Sequence, residues 1–218
     1  MKALLASLIG NPRVVHLPPE ECVFCQIATR KHRDSQTIIY EDDTIVIFPD
    51  IKPAAVGHFQ IVTKKHILNV DTLIENPTRE HYDLGTFSID WFIIRLIDRS
   101  MALCIAVRHM LEKGQEVLLL QLQLQTEAKD GAQAQEQQGS SSLSLYNNSS
   151  SSNNNNKTTT TSRLKFGFHM EPFHSVLHLH MHAFILPHVP RWGVWKYHPY
   201  TPWWLPAQDL LAQLQALL

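Results

Sequence analysis

The run HSVLHLHMHAF, His174 to Phe184, carries histidines at 178, 180 and 182, every second position inside an otherwise apolar stretch. Successive side chains of a β-strand alternate between faces, so three imidazoles share one surface while Leu179, Met181 and Ala183 take the other. A single histidine on an apolar strand is ordinarily a satisfied core or surface residue. Three in strict alternation suit two chemistries: metal ligation, or phosphoryl transfer in which one imidazole attacks phosphorus while its neighbours orient it and hold charge. The second constellation is CVFC, with Cys22 and Cys25. A solitary CxxC fits buried thiols, a redox pair or half a metal site. Three cysteines in 218 residues make no disulfide framework, which favours a reducing, intracellular compartment.

These residues need a scaffold. TIIYEDDTIVIFPDIKP reads as two β-rich runs, Thr37 to Tyr40 and Thr44 to Phe48, turned at EDD, and HFQIVTKKHI follows an irregular connection holding Pro53 and Gly57. Ile89, Phe92, Ile93, Leu96, Leu103, Val107 and Leu111 recur at three- and four-residue steps, which predicts a helix with one buried face lying on the sheet. From Gln121 to Ser162 the composition turns to Gln, Ser, Asn and Thr, and that stretch is expected to be a disordered insertion. Pro206 to Leu218 predicts a short amphipathic helix. The organisation is thus an N-terminal extension, 1–20, and one domain, 21–218, interrupted at 121–162.

The chain is 44% hydrophobic and 18% charged with a formal net charge of -1, so no broad basic footprint argues for duplex nucleic acid or an anionic membrane. The most apolar segment, FSIDWFIIRLIDRSMALCIAV, carries Asp90, Arg95, Asp98 and Arg99, each costing about 2.5–3.5 kcal/mol at a bilayer centre, so no membrane span is expected.

HLHMHAF, preceded by Ser175 and Val176, resembles the signature of the histidine triad superfamily, nucleotide-binding branch, and CVFCQIA, EDDTIVIFPDIKPAAVGHFQIVTKKHI and GFHMEPFHSVLHLHMH are similar to further blocks of it. The resemblance implies an α+β fold: an antiparallel sheet of about five strands with a long helix and a C-terminal helix, paired as a homodimer. It implies hydrolysis of a purine nucleoside phosphoramidate, releasing AMP and an amine in the cytoplasm or nucleus with no organic cofactor. His180 would be the nucleophile, forming a nucleotidyl-histidine that water cleaves. His182 and His58 would contact the α-phosphate, and Ser175 would bond near the leaving group. Asp50 would accept the ribose hydroxyls, and Phe24, Phe48 and Ile51 would sandwich the base; read alone, Asp50 is a turn-former and the apolar three are core. The cysteine pair implies a structural zinc on Cys22, Cys25, His66 and His178, since two thiolates and two imidazoles close a tetrahedral site.

Gly167 stands where many relatives have asparagine, and Phe173 and His174 where they have glycine and glutamine, so contacts to phosphate and leaving group are expected to differ. Two other readings stay open: a metal-dependent hydrolase ligated by HLHMH, and a nucleotide-binding scaffold with little or no catalysis.

Overall fold

The computed structural model describes residues 18–67, 70, 89–137, 163–170, 175–189, 193–216 and 218, with the side chains of 89–100, 129–137 and 193 outside that description. The N-terminal extension before residue 18, insertion residues 138–162, and Phe173 and His174 therefore lie outside it, as do the side chains of Ile89, Phe92, Ile93 and Leu96.

A short helix, α1 (Val23–Ala28), leads through a 3-10 turn (Arg33–Thr37) into β1 (Tyr40–Glu41), β2 (Ile45–Pro49) and β3 (Phe59–Thr63). The long helix α2 (Ile89–Gln137) follows, then β4 (Leu164–His169), β5 (His180–Ile185), a short α3 (Gly193–Lys196), β6 (Trp204–Pro206) and the C-terminal α4 (Ala207–Ala216). The strands form one antiparallel sheet in the order β1-β2-β3-β5-β4-β6, so the fold is α+β with six strands rather than the five expected. The additional strand, Trp204–Pro206, directly precedes the C-terminal helix and pairs with the outer side of β4.

Both faces of the central strands are covered, which is why IVIFP and HMHAFI contain almost no exposed position. On one face Ile45, Ile47, Ile61, Met181 and Ala183 pack with Val107, Met110 and Leu118 of α2 and with Leu210 and Leu214 of α4. The alternation in HLHMH thus does what period two demands: Leu179, Met181 and Ala183 enter this core and the histidines turn away from it. On the opposite face Cys22, Phe24 and Ile27 of the α1 segment cover Val46, Phe48 and Val62, and a further cluster holds Ala54, Phe184, Tyr197 and Trp204.

Two expected boundaries move. Thr37 closes the 3-10 turn, where His32 Nδ1 accepts from the Asp34 N–H, and the first strand starts only at Tyr40. The helix continues past Leu111 and Gln121 to Gln137, so 121–137 is helical rather than disordered. Gln, Leu, Glu and Ala are good helix formers, and Leu118 and Leu122, four apart, extend the buried face. Gly114 lets this helix approach closely: a Cβ there would lie 2.4 Å from Ile61 Cδ1. Among the described residues no helix is long and apolar enough to cross a membrane.

Candidate active site

Register assembles the site. On the face away from α2, Val62 pairs with His180, Gln60 with His182, Gly167 with His182 and His169 with Trp204. Side chains from β3, β5, β4 and β6 therefore line one strip, with His180, His182 and His169 at 7%, 4% and 5% exposure.

His180 Nδ1 lies 2.7 Å from the His178 carbonyl oxygen. A carbonyl only accepts, so Nδ1 carries the proton and the neutral ring holds its lone pair on Nε2. The ring sits edge-on to Phe24 at 5.0 Å and beside His182 at 5.2 Å.

His58 comes from the turn between β2 and β3, where Gly57 takes φ +66°. The Ala54 N–H donates to His58 Nδ1 over 3.0 Å, which puts the proton of the neutral ring on Nε2, 3.0 Å from His182 Nδ1. His182 thus accepts at Nδ1 and bears its own proton on Nε2, a buried nitrogen with no hydrogen-bond partner among the described residues. Burial and the neighbouring His182 push His58 down to about 3, partly opposed by Asp50. Burial also lowers His182, again against Asp50. Both rings are neutral near pH 7, as donors and acceptors of this chain must be.

Asp50 is turned inward. Its Oδ1 accepts from the Lys52 N–H at 2.7 Å and its Oδ2 from Gln60 Nε2 at 2.8 Å, with His58 Nε2 and His182 Nδ1 each 3.5 Å from Oδ2. Burial alone would raise this carboxyl. The adjoining His182 and His58 rings and the Lys52 N–H oppose it and hold Asp50 well below the usual carboxylate range. The structure therefore places Asp50 beside the histidine pair, with one hydrogen bond accepted at each carboxylate oxygen.

The expected base sandwich is not assembled as a slot. Phe24 and Phe48 are buried with ring centroids 5.9 Å apart in the cluster under α1, and Ile51 is 78% exposed. Ser175 is exposed in the bend ahead of β5.

The four expected metal ligands do converge, with ligand atoms all within 4.8 Å of one another. Cys22 Sγ and Cys25 Sγ each lie 3.4 Å from His178 Nδ1, and Cys25 Sγ lies 3.1 Å from His66 Nδ1. His178 Nε2 is 2.7 Å from the Thr63 carbonyl, so the proton sits there and the Nδ1 lone pair faces the thiols. Zinc bonds of about 2.3 Å to sulfur and 2.0–2.1 Å to nitrogen at tetrahedral angles separate S from N by about 3.5 Å, so the donor set and its spacing fit that ion. Burial, then the adjoining Cys22 thiol, push the Cys25 thiol up to about 12.

Sequence reasoning missed His169. Its ring centroid is 4.7 Å from His182, stacked on Tyr197 at 4.9 Å and edge-on to Trp204 at 5.4 Å. Burial first, then His182 and Lys196, hold it well below the usual histidine range. Gly167, expected to mark an altered phosphate contact, is instead where Trp204 packs: a Cβ would fall 2.3 Å from Trp204 Cζ2 and 2.7 Å from the Leu205 carbonyl oxygen. The signal for His169 was present in KFGFH, since positions 165, 167 and 169 share a face, but only the β4–β5 register shows which face.

The chain is similar in sequence to several known proteins. A family model described as scavenger mRNA decapping enzyme C-term binding matches residues 21–84. The bifunctional adenosine 5'-phosphosulfate phosphorylase/adenylylsulfatase HINT4 of Arabidopsis thaliana is 29% identical over 201 residues, spanning 91% of this chain and 94% of its own. The adenosine 5'-monophosphoramidase HINT3 of Xenopus tropicalis is 25% identical over 198 residues, spanning 89% and 88%. Among solved structures, a HIT family hydrolase from Legionella pneumophila Philadelphia 1 matches 75% of this chain and 91% of its own at 20% identity and a TM-score of 0.39. Over most of its length the chain is similar to proteins of the nucleotide-binding branch of the histidine triad superfamily.

Proposed function

We propose that this protein hydrolyses nucleoside 5'-phosphoramidates through a nucleotidyl-histidine at His180, releasing AMP and an amine. The observation that carries the reading is the His180 tautomer: with Nδ1–H fixed on the His178 carbonyl at 2.7 Å, the nucleophilic lone pair is on Nε2. Imidazole is nucleophilic when neutral and leaves again once protonated, which suits both halves of such a cycle. His182 Nε2–H, without a partner among the described residues and held in its tautomer by His58, is the donor for a phosphoryl oxygen. The Xenopus relative's name, a monophosphoramidase, supports the substrate class, and the Arabidopsis relative's name also concerns an adenosine 5'-phosphoryl compound.

The test is to incubate the protein with adenosine 5'-phosphoramidate and assay AMP together with an adenylylated histidine. His180→Ala is expected to abolish both while leaving nucleotide affinity largely intact. AMP release by His180→Ala at the parent rate would falsify the reading.

A metal-dependent hydrolase remains the second reading, because Asp50, His58 and His182 also bring ligand atoms within 4.8 Å. The 3.0 Å bonds of His58 to Ala54 N–H and to His182 favour the metal-free role. Brief chelation at folding temperature separates the two: it abolishes turnover at once only if the metal is catalytic. We also propose a structural zinc on Cys22, Cys25, His66 and His178, where it would tie together three chain segments, and a homodimer, which rests on the family resemblance and is read by sedimentation mass.

A further inference from the structure

The histidine strip carries the wrong charge for its ligand. Burial is the leading cause that pushes His58 down to about 3, lowers His182 and holds His169 well below the usual histidine range. All three rings are therefore neutral near pH 7. Asp50, kept ionised beside His58 and His182, adds a negative charge. Neutral imidazoles and one carboxylate, buried where salt screens poorly, repel a phosphoryl anion, so its binding requires a cation from elsewhere in the fold.

Lys196 is placed to supply it. The residue closes the short α3, half-buried, and its Nζ stands 5.1 Å from the centroid of the Tyr197 ring. That ring is buried against the whole strip, its centroid 4.9 Å from His169, 5.5 Å from His58 and 5.7 Å from His182. The ammonium is thus one ring away from three imidazoles, and each of them feels its charge.

A lysine withdrawn from water is ordinarily paired. Lys64 pairs with Glu41 and Lys113 with Glu116, whereas Lys196 makes no ion pair among the described residues. Asp50 attracts it only from beyond contact distance, and accepts instead from the Lys52 N–H and the Gln60 side-chain amide. Lys165, also beside Tyr197, is engaged by a hydrogen bond to the Tyr197 carbonyl. Partial burial of a cation without a counter-ion costs free energy, and an arriving anion offsets that cost.

We infer that Lys196 is a phosphate-binding residue of this site: its ammonium holds the anionic phosphoryl group of the nucleotide, while His182 donates a neutral hydrogen bond and His180 offers the attacking lone pair. The inference rests on the nucleotidyl-histidine reading and assigns the charge to a residue outside the histidine run. Recognition by Lys196 is of charge alone. A nucleoside without its phosphate gains nothing from it.

The experiment uses the full chain and measures calorimetric affinity for AMP and for adenosine, neither of which is turned over. Lys196→Met is expected to weaken AMP by about ten- to hundredfold, the worth of a hydrogen bond to a charged group, and to leave adenosine within about threefold. Lys196→Arg, which keeps the charge, should recover most of the AMP affinity. Lys196→Gln, polar but uncharged, gives the same reading as Lys196→Met should that variant fold poorly. Unchanged AMP affinity in both uncharged variants, an equal loss for AMP and adenosine, or no difference between Lys196→Arg and Lys196→Met would overturn the assignment. An adenylylated histidine trapped from the phosphoramidate, with AMP affinity indifferent to Lys196, would remove the lysine's role and keep the mechanism. Charge-dependent AMP binding with no trapped intermediate would keep the lysine's role and remove the mechanism.

Discussion

At the scale of single residues, the site works by fixing protons. His58 is constrained twice, by the Ala54 N–H at Nδ1 and by His182 at Nε2, and its ring is displaced to about 3 by burial. This sets a pH dependence of stability. Unfolded, His58 takes up a proton near 6.5; folded, it resists until far lower pH, so between about 6.5 and 3 the unfolded chain binds more protons and stability falls as pH falls. Each such histidine contributes a slope of about 1.4 kcal/mol per pH unit across that window. Asp50, depressed in the fold, contributes stability present above the ordinary carboxylate value and lost only below it, so it does not mask the histidine slope at pH 5–6. Denaturant unfolding is expected to show a clear loss of stability from pH 7 to pH 5, steeper than in His58→Phe; a flat profile would show that His58 is not held neutral. The types and spacing of His178, His180 and His182 were legible because alternation fixes faces without knowledge of the partner strand. Asp50 was legible as a site residue but not as an inward-facing partner of histidines, since no sequence rule orients a carboxylate that has two sets of donors in reach.

At the scale of elements, the pairing of β4 with β5 and β6 decides what sequence could not. Gly167 faces Trp204 so closely that a side chain has no room, and His169, two residues on, takes the position next to His182. Gly167→Ala is therefore expected to destabilise the protein by about 1–3 kcal/mol, the range for overpacking a closed core, and to shift the near-ultraviolet signal of its tryptophans. Unchanged melting would mean Trp204 does not pack there. The helix α2 offers a second check. Its glutamine-rich continuation looked like low complexity because polar residues outnumber apolar ones, yet Leu118 and Leu122 keep the helical step and are 0% and 8% exposed. Leu122→Ala is expected to cost about 2–5 kcal/mol, as for buried leucines generally. An exposed, disordered segment would lose almost nothing, so thermal melts of this one variant decide between the two descriptions. The reach of the helix was hidden for a physical reason: composition reports the average of a segment, and burial depends on the one face that repeats.

At the scale of the whole molecule, the proposed zinc would connect distant parts of the chain. Cys22 and Cys25 flank the start of α1, His66 follows β3 and His178 leads into β5, so sequence separations of 41, 153 and 156 residues close at one point. That closure seats Phe24 against His180 at 5.0 Å and fixes the His178 carbonyl that holds the His180 proton. Cysteine spacing alone announced half of this centre; the imidazole half was visible only through resemblance, because nothing in TKKHI or HLHMH distinguishes a ligand from a catalytic histidine. Protein prepared without chelator is expected to carry about one zinc per chain by elemental analysis, as a closed four-ligand site requires. Cys22→Ser and Cys25→Ser should release the metal and lower the melting temperature, because the binding energy is gained only when the ligands converge on folding. The fraction that stays folded should still cleave a phosphoramidate, since neither His180 nor His182 is a ligand in this arrangement. His178→Ala should be worse for turnover than either serine variant: it removes the ligand from the residue whose carbonyl orients the nucleophile, and the chain entering β5 is then free to shift. Zinc retained after Cys22→Ser/Cys25→Ser but lost in His180→Ala would place the metal on the triad itself and make the metal-dependent reading the better one.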